Sequence, residues 1–141
     1  MAWVAFLFLS SLWVGCTPTI APFSAHAYEE AVDLKVDALR VISQAEEPFP
    51  EHEKRVETLT LRMEKAWEFA KGRPQNEESA AQWMLMQDPD GFLLGGLLQR
   101  WEAEGALSYP FIQEAGSLIE SAFDTIIGLE SGKIGSSRGK P

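Results

Sequence analysis

The sequence predicts an all-α protein, a single compact bundle of four or five helices behind an N-terminal signal peptide and a short tether. Three observations predict it. Beyond residue 28, apolar side chains recur at steps of three and four in successive segments, the period of a helix with one buried face. Proline- and glycine-containing clusters separate those segments, where helices must stop. No stretch alternates apolar and polar residues with period two, and no unit repeats at solenoid spacing.

Residues 28–45 form the first predicted helix. Tyr28, Ala31, Val32, Leu34, Ala38, Leu39, Val41 and Ile42 give a broad apolar face, and Glu29, Glu30 and Asp33 place acids where the helix dipole favours them. Glu46-Glu47-Pro48-Phe49-Pro50 ends it, because two prolines cannot continue the hydrogen-bond ladder. The second helix is expected over 51–71. Pro50 suits a helix start, Val56, Leu59, Met63, Ala66, Trp67 and Ala70 share a face, and Gly72 followed by Pro74 is a stop.

Asn76 is a fitting N-cap for a third helix over 76–87, with Glu77 and Glu78 in its first turn. Asp88-Pro89-Asp90-Gly91 is a turn sequence. The fourth helix, 92–104, starts apolar on every side, as FLLGGLL, which marks a buried element or an interaction face. Gly95 and Gly96 each weaken a helix by about 0.8–1 kcal/mol relative to alanine. Close backbone approach by a neighbouring helix would account for them. Ser108 caps the fifth helix, whose stripe of Phe111, Ala115, Leu118, Ile119, Ala122, Phe123, Ile126 and Ile127 is the longest in the chain. From Ser131 the sequence SGKIGSSRGKP is glycine- and serine-rich and expected to be disordered. The expected organisation is a signal peptide over 1–15, a lipidated cysteine and flexible tether over 16–27, the bundle over 28–130 and a tail over 131–141.

The address is written in MAWVAFLFLSSLWVGC. Residues 2–15 are almost wholly apolar or small, the length of a signal-peptide core and short of the roughly 18–20 residues that span a bilayer. Gly15 followed by Cys16 resembles the lipobox of bacterial lipoproteins, although Trp13 stands where that motif usually has leucine and no Lys or Arg precedes the apolar run. The resemblance implies removal of residues 1–15, acylation of Cys16 and, with Thr17 rather than Asp after it, sorting to the outer membrane facing the periplasm. Two other addresses fit parts of the same stretch. Cleavage after Ala25-His26-Ala27 would release a secreted or periplasmic soluble protein, and an uncleaved apolar segment would act as an anchor, against which Pro18 and Pro22 count. Cys16 is the only cysteine, so no intramolecular disulfide forms.

All 12 basic and 21 acidic side chains follow residue 28, so the domain carries the full net charge of −9. That excludes nucleic acid as the expected partner, since phosphate binding needs a basic surface. The body motifs QWMLMQDPDG, LLGGLLQRW and FIQEAGSLIESAFDTIIGLESGK resemble a group of small uncharacterised bacterial proteins, many with lipoprotein-like starts. The resemblance implies no activity.

No catalytic constellation is legible. The two histidines, His26 and His52, lack metal-ligand spacing, since Glu51-His52-Glu53 are neighbours that do not face one another on a helix. Asp88 and Asp90 open a calcium-like loop whose twelfth position is Gln99 instead of Glu. Neither a cofactor nor a metal site is expected, nor an enzyme. The candidate contact surface is Trp83, Met86, Phe92, Leu94, Gly95, Gly96, Leu97, Arg100 and Trp101, either a partner face or the lining of an apolar ligand cavity, with core packing the commoner use of such residues. The expected function is protein contact in the cell envelope, as an adaptor, assembly factor or inhibitor. The alternative is a domain binding a small apolar ligand or lipid.

Overall fold

The computed structural model describes residues 20–137, with side chains as far as Lys133. Cys16 and the apolar start lie outside the described residues. The architecture is all-α: α1 (Ala25–Ile42), a 3-10 turn (Phe49–Glu51), α2 (Glu53–Lys71), α3 (Glu77–Gln87), α4 (Leu94–Glu104) and α5 (Tyr109–Ser137). No described helix is long and apolar enough to cross a membrane.

The long helix α5 is the axis. Ile112, Ala115, Ile119, Phe123 and Ile126 are buried along it at steps of three and four, and Glu130 and Lys133 continue the same seam. α1 runs antiparallel to α5: Lys35 pairs with Glu120 at 3.3 Å and Asp124 at 2.6 Å, while Ile42, later in α1, lies beside Gly116, earlier in α5. α1 and α2 are also antiparallel, bridged by Arg62 to Glu30 at 3.0 Å and to Asp37. Trp83 of α3 meets Phe123 of α5 edge-on, with ring centroids 6.0 Å apart. Leu34, Met63, Met86, Leu94 and Trp101 complete the core from the remaining helices.

The bundle therefore has two distinct ends. At one, the start of α1, the end of α2, the start of α3 and the end of α5 converge. There Ala21 N–H donates to the Gln75 carbonyl at 2.8 Å, and Arg73 of the α2–α3 turn bonds Glu130 of α5 at 3.0 Å. At the other, the segments after α1 and after α4 are tied together. Phe49 N–H donates to the Gly105 carbonyl and Leu107 N–H to the Ala45 carbonyl, both at 2.8 Å. Trp101 Nε1 donates to the Glu47 carbonyl at 2.9 Å.

Several boundaries differ from the sequence reading, each for a local reason. α1 starts three residues earlier, at Ala25, because Ser24 caps it: its hydroxyl accepts the Ala27 N–H at 3.3 Å. Residues 21–27 are thus domain, not tether, with Ala21 fully buried. The turn enforced by Pro48 and Pro50 is a separate 3-10 element, so α2 opens at Glu53. Asn76 precedes α3 without capping it through its side chain. Instead its amide donates to the Ala70 carbonyl at the end of α2. α5 does not stop at residue 130 but continues to Ser137, since burial of Lys133 outweighs the weak helix propensity of the glycines around it. Leu118, placed on the inner stripe by its spacing, is 54% exposed.

The diglycine has a backbone cause. A Cβ on Gly95 would overlap the Gln87 carbonyl at the end of α3, and one on Gly96 would overlap the Gly91 carbonyl. At Gly95 the close approach is by the last residue of the neighbouring helix α3, as expected, and at Gly96 it is by the α3–α4 turn folding back on the start of α4. Gly128 and Gly132 of α5, by contrast, have nothing within 4 Å of the place a methyl group would occupy. Gly95→Ala and Gly96→Ala should each lower stability by about 1–3 kcal/mol through overpacking, whereas Gly128→Ala should raise it by about 0.8–1 kcal/mol. Urea denaturation of the three variants checks this, and a stabilising Gly95→Ala would contradict it.

Candidate functional site

The candidate surface residues separate into two groups. Trp83, Met86, Leu94 and Trp101 are core, with Met86, Leu94 and Trp101 fully buried. For these four the structure shows core packing, the commoner use of such residues, and not the partner or ligand surface offered beside it. Their rings and chains fill the interior because α3 and α4 each turn those positions toward α5 or toward the 3-10 turn: Trp101 lies edge-on to Phe49 at 5.5 Å and beside His52 at 5.3 Å. Phe92 and Arg100 are exposed, Gly95 and Gly96 are half-buried against the turn, and Leu97 is buried as a floor residue.

Of these, Phe92, Gly96, Leu97 and Arg100, but not Gly95, help to form a cleft of about 270 Å³ between the start of α4 and the first half of α5. Its recess exists because side chains are missing or small. Gly91 and Gly96 contribute only backbone and Ala115 only a methyl. Phe92, which the turn holds just before α4, is 92% exposed on the rim, and Leu118 of α5 stands opposite. The Arg100 guanidinium lies over the Phe111 ring at 4.3 Å and bonds Glu104 at 2.8 Å. That pairing orients a cation and an aromatic on one wall, while Glu114 adds the opposite charge. No histidine, serine or cysteine lines the cleft. Sequence reasoning does not assemble Phe111, Glu114, Ala115 and Leu118 into this site, because nothing local links them to residues 91–100.

A second grouping is buried and polar. Lys133 Nζ donates to Glu130 at 2.7 Å, to Ser79 at 3.0 Å and to the side-chain carbonyl of Asn76. Arg73 holds the other Glu130 oxygen and also bonds the Pro22 carbonyl. Burial works against ionisation of Glu130, but the hydrogen bonds from Lys133, Arg73 and Ser79 outweigh it and hold the carboxyl below its usual range. Beside this network a pocket of about 160 Å³ opens between His26, Ala27, Phe69 and Trp83. The sequence does carry a signal for the network, since Glu130 and Lys133 continue the spacing of the α5 seam.

Two further groupings are surface electrostatics. The broad cleft between α1 and α2 is lined by Asp37, Arg40, Glu51, Lys54, Arg55 and Arg62, among others, and is a solvated ion-pair seam. Glu47, Glu51 and His52 bring their ligand atoms within 4.8 Å of one another. Glu47 rather than Glu53 joins the pair, because the proline turn folds it back until His52 Nε2 meets its carboxylate at 2.6 Å.

The chain matches no family model, no curated protein and no solved structure.

Glu130 should govern the acid limb of stability. Its depressed folded-state pKa contributes stability that is present above the ordinary carboxyl range and lost as pH falls through the folded value. Glu130→Gln should cost about 3–5 kcal/mol at neutral pH, since Arg73 and Lys133 would each lose their charged contact with Glu130, and should flatten stability below pH 5. Denaturant titrations across pH 3–7 measure both effects. A Glu130→Gln curve parallel to that of the native protein would contradict them.

Proposed function

We propose that this chain is a lipid-anchored protein of the bacterial cell envelope, held at Cys16, whose helical domain works through protein contact at the α4–α5 cleft. In this reading it is an adaptor, assembly factor or inhibitor and performs no chemistry. The observation that carries the contact is Phe92. A phenyl ring 92% exposed on the rim of an apolar recess gains nothing for the fold, whereas aromatic and arginine anchors beside a pocket are the residues that dominate binding energy. Arg100 over Phe111 supplies the second anchor.

The anchor rests on the apolar run ending in Gly15-Cys16. Secretory cleavage after Ala27 would remove buried Ala21 and the Ser24 cap and would cut within α1, which weighs against the soluble alternative. A small apolar ligand is the second reading. The 160 Å³ pocket beside Trp83 favours that position over one along α4, being of the size that admits a benzene-like group.

A photo-reactive residue at position 92 or 118 of the full chain in its native membranes should yield a discrete cross-linked partner, and one at exposed Thr58 of α2 should not. Phe92→Ser should reduce capture of that partner tenfold or more while changing stability by no more than about 0.5 kcal/mol. Cys16→Ser should release the protein from the membrane fraction. Equal cross-linking at positions 58, 92 and 118 would refute the cleft as the contact surface.

A further inference from the structure

We infer that the end of the bundle where α2 passes into α3 is a membrane-contact face, seated in the headgroup layer of the bilayer that carries the anchor. The inference deepens the anchored reading above and rests on it. Two independent observations lead to it.

The first is the length of chain between anchor and domain. Ala21 is fully buried and bonded to the Gln75 carbonyl, and the next residue's carbonyl is held by Arg73. The domain therefore begins at residue 21, not at 28. From Cys16 to Ala21 there are five residue steps, at most about 17 Å of fully extended chain. Whether Cys16 is acylated or the apolar run stays uncleaved, the membrane surface lies within that distance of Gln75. The same end of the bundle is thus the near end under either form of anchoring.

The second is the composition of that end. Phe69 and Met84 are 41% and 53% exposed there, although both are large and apolar. Trp67, half-buried, lines one shallow recess with Lys71 and Met84. Lys71 Nζ lies 4.2 Å from the Trp67 ring, and the Arg73 guanidinium is 5.8 Å from the Phe69 ring. Aromatic rings with Lys or Arg beside them are the residues that settle at a bilayer's polar–apolar boundary, ring inward and cation toward water and phosphate. The cations are locally balanced, since Lys71 also pairs with Glu68 at 2.7 Å and Arg73 with Glu130. The occupant is accordingly a zwitterionic headgroup layer held by interfacial insertion, not an anionic surface held by charge, in keeping with the overall net charge of −9.

The geometry has a consequence for the cleft. From Leu118 to Lys133 along α5 is roughly 22 Å, and Phe111 lies farther still from the anchored end. The α4–α5 cleft is carried away from the bilayer, where a partner in the aqueous compartment reaches it.

Full-length protein is reconstituted into vesicles of brominated phosphatidylcholine and its tryptophan emission compared with that in non-brominated vesicles. Co-sedimentation with the vesicles tests the anchor. Among sedimenting chains, bromination should quench the emission contributed by Trp67, obtained as native minus Trp67→Phe, by half or more, and 0.5 M NaCl should leave that quenching unchanged. The emission added by Phe92→Trp at the far end should be unquenched. A chain that sediments yet shows no Trp67-dependent quenching, or equal quenching at position 92, overturns the membrane face while leaving the anchor standing. A chain that does not sediment overturns both.

Discussion

A buried carboxylate closes this bundle. Glu130 sits on the inner seam of α5 with 1% of its surface exposed, and such a charge is tolerable only when its partners are fixed in place. Those partners come from three other parts of the chain: Lys133 one turn on, Arg73 from the α2–α3 turn, and through Lys133 the side chains of Asn76 and Ser79 at the start of α3. Among the described residues no buried side-chain nitrogen or oxygen is left without a partner. The network links the extension of α5, the turn from α2 into α3 and the docking of the N-terminal segment.

The last of these effects sets where the domain begins. Arg73 reaches past Glu130 to the Pro22 carbonyl, and Gln75, held in the left-handed region at φ 59°, presents its own carbonyl to Ala21. A non-glycine residue in that region is strained by about 1–2 kcal/mol, a strain offset by the pairing it allows. Proline-rich chain that would otherwise be a loose leash becomes part of the domain. At the opposite end the links are different in kind: aromatic packing of Trp101, Phe49 and His52 under a proline turn, with backbone bonds closing the loop. One end clamps the chain's start through a buried polar network, and the other closes on buried aromatic packing.

The helical architecture is legible in the sequence because it rests on local signals. Pro48 and Pro50, Gly72 with Pro74, Asp88 to Gly91 and Gly105 each interrupt the ladder wherever they occur, and the apolar spacing of α2 and α5 needs no knowledge of neighbours. What the sequence hides depends on distant partners. Residues 21–27 look like linker until Gln75 and Arg73 are brought to them. Residues 131–133 look like tail until Lys133 finds Asn76 and Ser79. The cleft joins residues 91–100 to 111–118, and only tertiary packing makes them one surface. Trp83 and Trp101 fit either anchors or core, and spacing alone cannot separate those uses, because both require an apolar side chain on a helix. The diglycine does mark a close approach, by the Gln87 carbonyl at the end of neighbouring α3 for Gly95 and by the Gly91 carbonyl of the intervening turn for Gly96.

The proposed anchoring and orientation both depend on the domain beginning at Ala21. Hydrogen exchange at the Ala21 amide in the full-length protein, resolved by NMR, tests this most directly. The amide should show protection comparable to that of the core amides of α1 and α5, abolished together with theirs when the bundle unfolds. An Ala21 amide exchanging at the rate of an unstructured peptide, while the core amides stay protected, would contradict this and restore a long, free tether.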